Sequence, residues 1–98
     1  ILTRQKPDAI FASDDLTAIL VIKIAQELGI SVPDELKVIG YDGTYFIENY
    51  YPQLATIKQP LEEIACFTVD LLLQKIEGKE VATTGYFLPV TLLSGKSI

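Results

Sequence analysis

The 98 residues carry 8 Lys and Arg against 13 Asp and Glu, a net charge of −5, and 49% of them are hydrophobic. This is the composition of one small globular domain, and scattered basic residues in an acidic chain exclude a segment that grips a phosphate backbone. With one cysteine, Cys66, and no histidine, most zinc sites and all imidazole-dependent catalysis are excluded, so neither a metal nor a cofactor is expected.

The chain opens on "ILTRQKPDAIF", with no Met, and drops straight into a strand; it reads as an interior cut from a longer chain. Residues 9–13, "AIFAS", are a short apolar run after a Pro-Asp turn and predict a buried strand. "DDLTAILVIKIAQELG" predicts a helix. Ser13 or Asp14 can accept its first free amides, the acids suit the positive end of its dipole, and Gly29 stops it. After a turn around Val32-Pro33-Asp34 comes a second strand, "KVIGY". A loop over 42–53 follows, with room for one or two helical turns at 44–50, and then a third strand, "LATIK".

Pro60, Glu62 and Glu63 signal the start of a second long helix, "PLEEIACFTVDLLLQKIEG". Its apolar residues follow the i, i+3, i+4, i+7 rule, and Cys66 falls on the apolar side, where a buried thiol is expected. "GYFLPVTLL" is the last strand, and Pro89 places it at an edge or a crossing between sheets. Strands alternating with helices predict an α/β fold with a largely parallel sheet. The sequence has no apolar run long enough to span a membrane and no basic-then-apolar leader. The single Cys66, which has no partner for an internal disulfide, fits an expected cytoplasmic compartment.

Two features ask for a function. The first helix is apolar in nearly every direction between Leu16 and Leu28, whereas a helix lying on a sheet needs one stripe. It is therefore covered twice, either centrally in a larger domain or at a subunit interface, which Tyr50 and Tyr51 would extend. The second feature is a set of polar groups at strand ends: Asp14, Asp42 and Gln59. Ligands of open parallel sheets sit beyond those ends. Two acids and an amide among Tyr41, Tyr45, Phe46, Tyr50 and Tyr51 suit a polyhydroxylated ligand, with carboxylates accepting from vicinal hydroxyls and aromatic faces covering the C–H side. Capping alone would account for Asp14 and Asp15, and an Asp-Gly turn for Asp42.

"PDAIFASDDLTA", "GISVPDELKVIGYDGT", "YPQLATIKQPLEEI" and "FLPVTLL" occur in the order and spacing of the lactose-repressor family of bacterial regulators, which the chain resembles from about Pro7 to Leu93. Within that family it is most similar to the sucrose-operon repressors. The resemblance implies a three-layer αβα, type I periplasmic-binding-protein-like core, of which this chain is the C-terminal part. About 1–57 and 90–98 would belong to the C-terminal lobe, and about 58–89 to the N-terminal lobe. It implies a small sugar effector bound by Asp42, Asp14, Gln59 and Leu61, and a homodimer built on Ile19, Ile22 and Tyr50. Operator DNA would be bound by an N-terminal helix-turn-helix domain absent from this chain. Asp14 stands where the family usually has Asn, which donates as well as accepts; this puts the usual bonding at that position in question. Competing readings are an extracellular sugar-binding protein of a transporter and, more remotely, a sugar-modifying α/β enzyme. No catalytic residues are expected.

Overall fold

Why the chain folds as it does is clearest where its first helix meets its second strand. The computed structural model describes residues 2–81 and 85–98. Strand β1 (Ala9–Phe11) leads into helix α1 (Asp15–Glu27), which returns the chain to strand β2 (Lys37–Asp42). Asp14 is the N-cap, its carboxylate accepting the Thr17 amide at 2.7 Å, and Gly29 leaves the helix with a positive φ of 74°. Asp15, Ala18, Ile22 and Ala25 recur at three- and four-residue spacing and form the buried face of α1. Ala18 and Ala25 are small and fully buried, so the helix lies close on the sheet. A methyl group on Gly40 would meet Ala18 Cβ at 3.3 Å and would collide with the Asp15 carboxylate. Only glycine fits at that crossing.

Helix α2 (Tyr45–Tyr50) follows β2, strand β3 (Ala55–Lys58) comes next, and β4 (Thr91–Leu93) closes the sheet. The sheet order is β1-β2-β3-β4, with β1, β2 and β3 parallel and β4 antiparallel to β3. The expected largely parallel sheet is therefore a mixed one with an antiparallel edge. The core joins Ala18, Ile22 and Ala25 of α1 to Leu36, Val38, Leu54 and Ile47 of α2. Burying each of the large aliphatic side chains contributes roughly 1.5–3 kcal/mol. The opposite face is more open: Phe11 and Leu92 are exposed there, and Phe11 meets Tyr41 edge-on with centroids 6.3 Å apart.

The chain divides into two compact units, Ile1–Gln59 with Thr91–Ile98, and Pro60–Val90. In the first, the C-terminal stretch is tied into the sheet by Ser97, whose carbonyl accepts the Val38 amide at 2.7 Å and whose hydroxyl accepts the Ala55 amide at 2.9 Å. The second consists of helix α3 (Leu61–Ile76) and the chain that follows it. Pro60 sits at the N-cap of α3 rather than at its first helical position. No residue of α3 is buried. Cys66 is exposed, contrary to the buried thiol expected, because α3 has little to lie on within its own unit. Phe67 does find a partner, Tyr86, with centroids 4.6 Å apart. The last strand is also shorter than expected. Residues 85–90 are not in a strand, and β4 starts only beyond Pro89, which has no amide to give a sheet ladder.

Candidate functional site

The carboxyl ends of β1, β2 and β3 place three polar residues. Asp14 follows β1, Asp42 ends β2 and Gln59 follows β3. Parallel pairing aligns Asp42 with Lys58, which puts Gln59 one residue further out. Its side-chain amide donates to Asp42 Oδ1 at 2.6 Å, and its backbone N–H donates to the Asp42 carbonyl at 3.0 Å. Asp42 Oδ2 makes no hydrogen bond among the described residues. The residue pays in backbone conformation, with φ at 117°, a region that non-glycine residues rarely occupy and that clusters at ligand sites. Gly43 next to it, at φ 62°, lies so close to β3 that a Cβ would meet the Lys58 backbone at 2.6 Å.

Asp14 and Asp42 line one cavity of about 410 Å³, together with Asp15, Leu16, Thr44, Phe46 and Ile47. That volume lies in the range of small-molecule sites. The Asp14 carboxylate is held below its ordinary value, first by the Thr17 backbone N–H, then by the Thr17 and Ser13 side chains. It caps the helix and borders the cavity at the same time. Lys58 points elsewhere, pairing with Glu48 of α2 at 2.8 Å with both side chains half exposed, a contact of at most about 1 kcal/mol.

The aromatic ring expected around Asp42 shrinks to one member. Phe46 lines the cavity and stacks on Tyr50 with centroids 5.1 Å apart. Tyr41 adjoins Asp42 in the strand, so it faces the other side of the sheet, where Phe11 meets it. Tyr51 packs against the core, and Tyr45 is exposed. Leu61 is the first residue of α3, exposed in the second unit. Of the three expected interface residues, Tyr50 is exposed and Ile19 is partly buried against the core. Ile22 is only 6% exposed. It sits on the same face as Ala18 and Ala25, so it is a core residue rather than part of an outward surface. The outward apolar stripe is instead Leu16, Leu20 and Ile24, exposed by 74, 55 and 40%.

Sequence reasoning left one group at the site unused. Asp15 is 4% exposed; its Oδ2 accepts the Gly43 amide at 2.9 Å and its Oδ1 the Thr56 hydroxyl at 2.5 Å. The helical spacing Asp15, Ala18, Ile22, Ala25 was the available signal, since it puts this acid on the apolar face. Among the described residues, no group of three or more potential ligands could hold a metal, and no helix is long and apolar enough to cross a membrane.

All 98 residues match a family model described as "Periplasmic binding protein-like domain". The chain is 58% identical over 98 residues to the sucrose operon repressor of Streptococcus mutans, covering 100% of this chain and 30% of that protein. Among solved structures, it is similar to the lac repressor dimer bound to operator and the anti-inducer ONPF, with TM-score 0.82, 33% identity, and coverage of 93% of this chain and 27% of that one. A second is the periplasmic binding protein/LacI transcriptional regulator from Alkaliphilus metalliredigens complexed with D-xylulofuranose, with TM-score 0.80, 34% identity, and coverage of 92% and 34%. The chain thus spans about a third or less of each relative's length. With the motif order, the fold and the full-length match in agreement, the chain belongs to the periplasmic binding protein-like domain family, in its lactose-repressor branch.

Proposed function

We propose that the chain is the C-terminal part of the effector-binding and dimerisation core of a cytoplasmic transcriptional repressor, a binding protein rather than an enzyme. A small sugar would occupy the cavity between Asp14 and Asp42. The observation that carries this reading is the Asp42 carboxylate, held at the tip of a parallel strand with one oxygen on Gln59 and the other without a partner among the described residues. A carboxylate in that state accepts a sugar hydroxyl, and Phe46 offers a face for the ring's C–H side. Asp14, ionised and acceptor-only, would take a second hydroxyl. The two units are read as parts of two lobes. Sugar binding would change the balance between two states of the core, and with it the grip of a DNA-binding domain outside this chain on its operator.

The test is a thermal-shift and operator-binding screen of the full-length protein against sucrose, glucose, fructose and their 6-phosphates. One of these is expected to raise the melting temperature and change operator affinity, and Asp42→Ala is expected to weaken that sugar about tenfold or more. A wild type indifferent to the whole panel, or an unchanged response in Asp42→Ala, removes the reading.

A further inference from the structure

Asp15 is a buried carboxylate that touches both strands carrying the site. Its two oxygens divide between them: Oδ2 takes the Gly43 amide at 2.9 Å, just past β2, and Oδ1 takes the Thr56 hydroxyl at 2.5 Å, in β3. Gly40, two residues before Asp42, packs against the same carboxylate so closely that no Cβ could be admitted. Asp42 lies between the two points so fixed, Gly40 and Gly43, in a backbone conformation of φ 117° that costs free energy to hold. Gln59, the partner of its Oδ1, comes three residues after Thr56, just past the end of the other strand held.

We infer that Asp15 is a positioning residue for the sugar site: by bonding the Gly43 amide and the Thr56 hydroxyl it holds the Asp42 carboxylate where it meets the effector. This rests on the proposed sugar reading of the cavity and extends it to a side chain whose bonds are made to the protein. The alternative, that Asp15 merely anchors the start of α1, predicts lost stability with no specific link to Asp42.

The two are separated in the full-length protein, with binding of the six panel sugars measured by calorimetry and folding checked by thermal melts. Asp15→Ala is expected to weaken binding about tenfold to a hundredfold, the size of a lost charge-assisted bond. Asp15→Asn is expected to recover most of it, because its amide oxygen still accepts from Gly43 while its NH2 donates to the Thr56 hydroxyl. Thr56→Val, which frees one carboxylate oxygen at little change in shape, is expected to cost about threefold to tenfold. In an Asp42→Ala background, Asp15→Ala is expected to cost no more than about twofold further. Wild-type affinity in a folded Asp15→Ala protein overturns the inference, as do losses at Asp15 and Asp42 that simply add. Should Asp15→Ala not fold, wild-type affinity in Thr56→Val overturns it instead. A wild type that binds none of the panel sugars overturns the sugar reading itself and this inference with it, whereas a wild type that binds while the Asp15 variants bind equally well overturns the inference alone.

Discussion

Two adjacent carboxylates at the start of α1 do different work because the first sits on the extended N-cap residue and the second on the first helical residue. Asp14 lies outside the helix and caps it, while Asp15 is inside the first turn and faces the sheet. The pH behaviour of the cap follows from its geometry. The Thr17 amide holds the Asp14 carboxylate below its ordinary value of 3.8, and the Ser31 amide, then its hydroxyl, do the same to Glu35, whose ordinary value is 4.5. A carboxylate lowered on folding contributes stability that is fully present above its unfolded value and is lost as pH falls through its folded value. Urea midpoints of the full-length protein are therefore expected to be insensitive to these two groups near neutrality and to fall on the acid side of the ordinary values. Asp14→Asn, which keeps a capping oxygen but cannot ionise, should flatten part of that fall; an unaltered acid profile would show that Asp14 is not among its causes. That Asp14 would cap was readable, since capping depends on the residues immediately around it. That Asp15 would be buried depended on the phase of the helix against β2, a tertiary fact signalled only by the spacing to Ala18, Ile22 and Ala25.

At the scale of elements, α1 carries two apolar faces, and the structure assigns them separately. The inner one, with Ala18, Ile22 and Ala25, lies on the sheet; the outer one, with Leu16, Leu20 and Ile24, is bare. Counting apolar residues around the helix foretold two faces but not which residue belonged to which, and Ile22 falls on the inner one. Strand alternation held information of the same kind. Tyr41 and Asp42 are neighbours and must face opposite sides of the sheet, so an aromatic ring including both could not form. The outer stripe of α1 is the more suitable surface for the proposed dimer, since several large apolar residues left in water are a liability. Leu20→Glu in the full-length protein is expected to shift the dimer towards monomer in analytical ultracentrifugation. Each buried Leu contributes roughly 1.5–3 kcal/mol, so the dissociation constant should rise about tenfold or more. Ile22→Val, by contrast, should lower stability by about 0.5–1.5 kcal/mol without that shift. A Leu20→Glu protein that stays dimeric at low micromolar concentration would exclude this stripe from the interface.

At the scale of the whole molecule, the exposed surfaces predict how the chain behaves alone. Most of Leu61, Val69, Leu72, Leu73 and Ile76 on α3 remains in water, as do Phe11 and Leu92 on the sheet's open face. Large apolar side chains left in water in such numbers mark contacts with other protein. The relatives, of which the chain spans about a third or less, supply the reason proposed here: the helix and the sheet face are finished by the remainder of a two-lobed core. The cavity at Asp42 is likewise bounded within the first unit only by residues of α1, β2 and α2 with their flanking positions, too few to surround a disaccharide on every side. Expressed as these 98 residues, the chain is therefore expected to self-associate in sedimentation at micromolar concentration and to bind the panel sugars at least about a hundredfold more weakly than the full-length protein, a difference of about 2.7 kcal/mol in binding free energy. Placing a charge at Leu72, on the bare side of α3, should reduce the association without restoring the affinity, because solubility and the missing walls of the cavity are separate deficits. A monomeric 98-residue chain that binds one of these sugars as tightly as the intact protein would show that the site is complete within it, and that the exposed faces of α3 and the sheet serve some purpose other than joining the rest of a core.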